Sequence, residues 1–137
     1  MPCTQDSDVD IEVEEGAGDA EYLSLLSEHL PSLVDQVRPD LIFYQIRSDA
    51  VVYQGGVDPL EHDRLGRLSL TRDGLRLRNR LVYDTALARG IPTVLTMGGG
   101  YPKDLNPASE DFGHIVRSHR DVYEDAAACI EASAFEG

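Results

Sequence analysis

An apolar run passes directly into three glycines and a tyrosine in the stretch Ile91-Pro92-Thr93-Val94-Leu95-Thr96-Met97-Gly98-Gly99-Gly100-Tyr101. A short apolar run bounded by turn residues is typical of a strand buried in a parallel sheet. Two similar runs lie earlier in the chain, at Leu41–Tyr44 and Ala50–Tyr53, and the second leads into Gly55 and Gly56. These runs predict the strands around which the rest of the chain folds.

Helical patterns separate the predicted strands. Apolar periodicity and capping residues predict helices over 19–37, 71–89 and 108–132, with Thr71 as an N-cap. The last helix is predicted to bury one stripe, formed by Phe112, Ile115, Val116, His119, Tyr123, Ala126, Ala127 and Ile130. Alternating residues over 8–14 predict a further short strand. This order predicts an α/β domain with a mainly parallel sheet between helices, in which Leu41–Tyr44 and Thr93–Met97 are central strands.

The charge is distributed unevenly along the 137 residues, whose net charge is −13. Residues 41–103 carry nine bases and six acids, whereas residues 1–40 carry one base and eleven acids. An acidic chain is not expected to bind nucleic acid directly or an anionic membrane surface, because both require clustered cations. A neutral or acidic ligand would lie in the middle segment, unless the acids serve only solubility.

The sequence has no feature typical of a membrane or secreted protein. No apolar run is long enough for a membrane span, and the acidic N-terminus does not have the pattern of a signal peptide. Cys3 and Cys129 give no disulfide framework. The sequence therefore predicts a cytoplasmic protein.

Asp58 follows a predicted strand end, after two glycines and before Pro59. Ligands of parallel sheets bind at the carboxyl ends of strands, and a carboxylate there suits a metal ion or a general base. The alternative is a loop-capping aspartate that accepts hydrogen bonds from nearby backbone amides. The residues alone leave both interpretations open.

The glycines Gly98, Gly99 and Gly100 follow the other predicted strand end and lead into Tyr101. Such a loop can line a narrow channel or bind an anion through its amides, and a tyrosine hydroxyl can donate to a developing oxyanion. A tight turn with a packed tyrosine is equally compatible with the local sequence. Of the histidines, His62 is four residues from Asp58 and is typical of an exposed loop, while His119 falls on the helical stripe and is interpreted as a packed residue.

Several segments together resemble the C-terminal part of the zinc-dependent histone deacetylase family. Gly56–Leu70 is similar to the loop with that family's last zinc-ligand aspartate, and Thr96–Tyr101 to its glycine-rich loop with the catalytic tyrosine. Gly16–Leu23 and Arg38–Gln45 are also similar to segments of this family, in the same order along the chain. The Asp-Arg-Leu-Gly motif is most similar to class IV-like and bacterial members. The resemblance covers roughly residues 8–130.

The resemblance implies a fold and roles for individual residues. It implies the arginase-deacetylase fold, which has three layers in the order α-β-α. Asp58 would be a zinc ligand, Tyr101 the catalytic residue that stabilises the transition state, and Gly98, Gly99 and Gly100 the lining of the substrate channel. The implied cofactor is zinc, and the implied substrates are acyl amides such as acetyl-lysine or acetylated polyamines.

The chain departs from the family pattern in three ways, one of which is His62 at a position where the family usually has glycine. The chain contains no adjacent His-His pair and no Asp-x-His motif, so one zinc ligand is identifiable where a catalytic zinc needs about three. Residues 46–54 form an apparent insertion that repeats the pattern of the preceding strand. Either copy of the strand can precede Asp58.

We therefore interpret residues 8–132 as the C-terminal part of a deacetylase domain, with a disordered N-terminus over 1–7 and a tail over 133–137. The isolated chain is expected to be an inactive fragment. One alternative is a non-catalytic α/β module that binds a ligand or partner through the Gly98–Tyr101 loop. Another is one half of a split deacetylase, completed by an N-terminal half, and self-association through an exposed sheet edge is also expected.

Overall fold

The computed structural model describes residues 9–38 and 53–135. Their elements, in chain order, are α1 (Asp19–Val37), β1 (Tyr53–Gln54), α2 (Arg72–Leu87), β2 (Leu95–Thr96) and α3 (Glu110–Phe135). The two strands pair in parallel, with Tyr53 opposite Leu95 and Gln54 opposite Thr96. Within these residues, no helix is both long enough and apolar enough to cross a lipid bilayer.

The predicted three-layer α/β fold with a mainly parallel sheet is wrong for this part of the chain, which is mostly helical. The helices contain 19, 16 and 26 residues, whereas each strand contains two. The predicted strand Thr93–Met97 shortens to Leu95–Thr96, and no strand forms over residues 9–14. Leu41–Tyr44 lies outside the described residues, as does the 46–52 part of the apparent insertion over 46–54, whose last two residues form β1.

The short strands have a physical reason. A buried parallel strand is stabilised by neighbours on both sides and by helices that cover both faces. Among the described residues, β2 pairs only with β1, and the exposed fractions of Val94 and Met97 are 50% and 64%. Apolar composition alone therefore does not turn these runs into long strands, and the regular ladder is limited to two residues in each strand.

Hydrogen bonds between the first residue of α1 and the N-cap of α2 fix the start of α2. Thr71 is the N-cap of α2, as predicted, and its hydroxyl accepts a hydrogen bond from the amide of Gly74 at 3.0 Å. The Asp19 carboxylate accepts hydrogen bonds from the Thr71 amide at 2.8 Å and from its hydroxyl at 2.6 Å. A Cβ at Gly74 would lie 1.9 Å from Asp19 Oδ1, so this approach requires glycine. The first residue of α1 thereby supports the cap of α2.

The hydrophobic core lies between α2, α3 and the loop that follows β1. Its buried side chains are Val57, Leu60, Leu70, Leu75, Val82, Tyr83, Ile115, Val122 and Ala126. The predicted stripe of α3 is wrong in part, because Val116, Tyr123 and Ile130 are exposed by 52%, 44% and 57%. The helix instead turns Ser118, Asp121 and Asp125 inward.

Two carboxylates are buried on α3 because α2 supplies cations that match them. Arg72 donates to both oxygens of Asp121 at 2.5 and 2.8 Å. Arg76 donates two hydrogen bonds to Asp125, at 3.0 and 2.8 Å, and the Asn79 amide donates to the same carboxylate at 3.2 Å. Charge-assisted hydrogen bonds from arginine to carboxylate are short and directional, so they fix the rotation of α3 against α2.

We expect Asp125→Ala to lower the free energy of unfolding by about 1–3 kcal/mol, because it leaves the buried Asn79 amide without this acceptor. Urea denaturation followed by circular dichroism would measure the change. The matched control is Glu124→Ala, which removes the exposed partner of Arg120 on the same helix. Its effect should stay within about 0.5 kcal/mol. Equal losses for the two variants would contradict the proposed importance of the buried carboxylate.

Candidate functional site

Two loops leave the strand pair at the same end and run side by side. The hydrogen bonding of β1 with β2 continues beyond the strands, since the Gly55 amide donates to the Thr96 carbonyl at 2.9 Å. The Val57 amide then donates to the Gly99 carbonyl at 2.8 Å. The loop with Asp58 and the loop with Tyr101 are therefore neighbours, at the edge where the sequence places the candidate site.

The side chain of Asp58 lies against the glycine loop. A Cβ at Gly99 would be 3.0 Å from Cγ of Asp58 and 3.2 Å from its Oδ1, closer than a side chain tolerates without displacement. Gly66 approaches the backbone of Asp58 even more closely, because a Cβ there would lie 1.6 Å from the Asp58 carbonyl oxygen. Glycine at position 99 thus leaves room for the Asp58 side chain, and glycine at position 66 leaves room for the Asp58 backbone.

The loop-capping role considered for Asp58 belongs to a different aspartate, Asp63. Oδ1 of Asp63 accepts hydrogen bonds from the amides of Leu65 and Gly66, both at 2.7 Å. Oδ2 accepts a hydrogen bond from the amide of Tyr101 at 2.6 Å. Sequence reasoning misses Asp63, because the bond to Tyr101 joins residues 38 positions apart and leaves no local signal.

Tyr101 is held through its backbone, while its side chain is 45% exposed. Its carbonyl accepts a hydrogen bond from the Arg64 amide at 2.9 Å, next to the bond from its own amide to Asp63. An isolated antiparallel bridge between Asp63 and Pro102 extends this contact. The loops of both predicted site residues are thus brought together, and the catalytic and metal-binding roles of Tyr101 and Asp58 stay predictions.

His119 of α3 lies directly behind the glycine loop. A Cβ at Gly100 would be 2.7 Å from Nε2 of His119 and 3.0 Å from the side chain of Ile115. Burial lowers the pKa of His119, and the positive charge of Arg78 acts in the same direction, while the negative charge of Asp58 opposes both. Its Nδ1 is buried without a hydrogen-bond partner among the described residues. The interpretation of His119 as a packed residue thus holds, although it packs against the candidate site itself.

His62 does not form a pair with Asp58. Its ring stacks on that of His114, with centroids 4.1 Å apart and an angle of 12° between the planes. Its Nε2 lies 3.7 Å from the carboxylate of Glu61. This stack joins the Asp58 loop to the first turns of α3.

The zinc ion implied by the resemblance needs more ligands than these residues provide. Catalytic zinc sites use about three protein ligands. No group of three or more histidine, cysteine, aspartate or glutamate side chains within residues 9–38 and 53–135 is arranged to hold a metal ion. Asp58 can contribute one carboxylate, so the described part of the chain does not fit a zinc ion by itself.

Comparison with known proteins gives a consistent result. Residues 3–116 match the family model of the histone deacetylase domain. An uncharacterized protein from Picosynechococcus sp. is 42% identical over 119 residues, which are 87% of this chain and 37% of that protein. Histone deacetylase 2 of Arabidopsis thaliana is 34% identical over 96 residues, which are 70% of this chain and 22% of that protein. The chain thus spans well under half the length of these relatives.

We expect Gly100→Ala to destabilise the chain by about 1–3 kcal/mol, the usual cost of an extra methyl group in a packed site. The new Cβ would meet His119 and Val57, both at 2.7 Å. Thermal or urea unfolding would measure the loss. The control is Gly113→Ala in α3, where the Cβ meets only the flexible end of Arg117. There alanine should stabilise by about 0.5–1 kcal/mol. A neutral Gly100→Ala variant would show that the loop does not lie against α3.

The lowered pKa of His119 predicts a pH dependence of stability. The unfolded chain takes up this proton at a higher pH than the folded chain, so the free energy of unfolding falls as the pH drops below about 6.5. His119→Gln should therefore lose less stability than the wild type between about pH 7.5 and about pH 5. Urea titrations at both pH values would measure this. The stability of the variant at the higher pH reports packing alone, and an unchanged pH dependence would contradict the prediction.

Proposed function

The chain belongs to the histone deacetylase family, and we propose that it supplies the tyrosine loop and one metal-ligand loop of an amide hydrolase. The substrates proposed are acyl amides of the acetyl-lysine or acetylpolyamine type. The single observation that carries this proposal is the placement of the Asp58 carboxylate against Gly99, two residues before Tyr101. Two motifs that are far apart in the sequence thereby lie next to each other.

The proposed role of Tyr101 follows from its chemistry and its setting. A phenol is a hydrogen-bond donor, and a donor held where negative charge develops stabilises the tetrahedral stage of acyl transfer. The side chain of Tyr101 is 45% exposed, so a ligand can reach it, while its backbone is held on both sides by residues 63 and 64. Gly98, Gly99 and Gly100 carry no side chains that would narrow a channel beside it.

The proposed role of Asp58 is that of one ligand to a zinc ion. Because the described residues offer no second and third ligand in place, we assign no catalytic step to the isolated chain. The chain covers 37% and 22% of the lengths of the relatives given above. We propose that the missing ligands come from a further part of such a domain, in the same protein or as a separate half.

A complementation assay tests this proposal. The isolated chain and the chain mixed with a separately expressed N-terminal half of the Picosynechococcus relative would be assayed with zinc on an acetyl-lysine peptide and an acetylated polyamine. We expect no hydrolysis above background from the chain alone and measurable hydrolysis from the mixture. In the mixture, Tyr101→Phe should lower the rate by about 10²–10³, the usual effect of losing one oxyanion donor.

The controls separate a loss of chemistry from a loss of folding. Tyr123→Phe removes a hydroxyl from an exposed tyrosine on α3 and should leave the rate unchanged. Asp58→Ala should abolish zinc retention by the mixture, measured by metal analysis after gel filtration. Zinc-dependent turnover by the isolated chain would refute the incomplete-site argument, and an active mixture that tolerates both Tyr101→Phe and Asp58→Ala would refute the proposed roles.

A further inference from the structure

We propose that Asp63 is a positioning residue, which fixes the Gly98–Tyr101 loop and so presets the Tyr101 side chain before any ligand binds. Asp63 does not touch a substrate in this proposal and acts only through Tyr101. Its catalytic consequence rests on the function proposed above. The positioning itself is a property of the folded chain.

Several backbone hydrogen bonds end on the Asp63 carboxylate. The residue is 7% exposed, so water does not replace partners that it loses. Three backbone amides donate to it, those of Leu65, Gly66 and Tyr101, at 2.7, 2.7 and 2.6 Å. A buried carboxylate that accepts several amides orders the backbone to which those amides belong. Two of the three belong to its own loop, and the third belongs to the loop with the candidate catalytic residue.

Tyr101 is restrained at both of its backbone polar groups. Its amide donates to Asp63, and its carbonyl accepts from the amide of Arg64. One residue earlier, Gly100 lies against His119, Ile115 and Val57, so the loop cannot retreat toward α3. With the backbone fixed on these sides, the Cα–Cβ direction of Tyr101 is fixed as well.

The hydrogen bonds at position 63 require an aspartate. A carboxylate presents acceptors on both oxygens, whereas an asparagine of the same shape presents one oxygen and one NH₂ group. In Asp63→Asn, the NH₂ group must face either the Tyr101 amide or the two amides of Leu65 and Gly66. The NH₂ group loses one hydrogen bond if it faces the Tyr101 amide but two if it faces the amides of Leu65 and Gly66. It therefore turns toward Tyr101, where a donor meets a donor in a buried place and the link to the glycine loop breaks. The substitution is therefore close to isosteric and selective for the link.

The primary experiment uses amide hydrogen exchange, measured by NMR on the complete chain. We expect Asp63→Asn to lower the protection of the Tyr101 amide by at least about tenfold, while amides of α2 keep theirs. The matched control is Asp104→Asn, because the exposed Asp104 carboxylate accepts from the nearby Asn106 amide and does not touch the glycine loop. Protection of Tyr101 within about threefold of the wild type in Asp63→Asn would overturn the proposal.

A second measurement needs no variant and applies if Asp63→Asn fails to fold. In the wild-type chain, a through-hydrogen-bond scalar coupling should join the Tyr101 amide nitrogen to the carboxylate carbon of Asp63. Its detection supports the link. Its absence, in a spectrum where couplings of backbone hydrogen bonds within α2 are resolved, overturns the proposal.

A double-mutant cycle in the complemented enzyme separates positioning from general stabilisation. If Asp63 acts through the Tyr101 hydroxyl, Asp63→Asn lowers kcat more than it raises KM. The loss should then shrink to less than about threefold in a Tyr101→Phe background. An equal loss in both backgrounds overturns the catalytic part. If the wild-type mixture is inactive, the proposed function fails, whereas hydrogen exchange still decides whether Asp63 positions Tyr101.

Discussion

The packing of α3 on α2 is the constraint on which the rest of the structure depends, and two buried carboxylates maintain it. Asp121 and Asp125 are almost fully buried and are matched by Arg72 and Arg76. Replacing one partner of such a pair leaves polar groups unsatisfied, so the pairs permit very few rotations of α3 about its axis. Apolar packing alone would have tolerated several.

The candidate site depends on this rotation because each helix supports one of its loops. From α2, the buried Arg78 donates to the Gly56 carbonyl at 2.8 Å, two residues before Asp58. From α3, His119 and Ile115 lie against Gly100, one residue before Tyr101. A shift of one helix against the other would separate the two loops. The Asp63 carboxylate and the hydrogen bond from the Val57 amide to the Gly99 carbonyl then complete the link between them.

Local signals allowed much of this part of the chain to be predicted. Thr71 caps α2 as its residue type indicates, and the glycines after both predicted strand ends do lie together. The buried side of α3 could not be predicted from the sequence. Asp121 looks like a solvent-exposed residue unless Arg72, 49 positions away, is known to lie opposite it. The predicted strand lengths were wrong for a related reason. An apolar run becomes a long strand only where neighbours are available, and the sequence of β2 does not show which neighbours it has.

The contacts in the structure change the interpretation of the uneven charge distribution along the chain. Residues 41–103 are the least acidic segment, which in sequence suggests an acidic or neutral ligand. Several of its cations instead neutralise acids of this same chain: Arg72 and Arg76 face α3, and Arg89 donates to Asp35 of α1 at 2.6 and 2.8 Å. The carboxylates of Asp58 and Asp63 lie next to the glycine loop, and the positive charge of Arg78 acts on His119 directly behind it. Charges of both signs therefore act at this loop and partly offset each other. The excess of cations in residues 41–103 reflects ion pairs within the chain, so it does not predict the charge of a ligand.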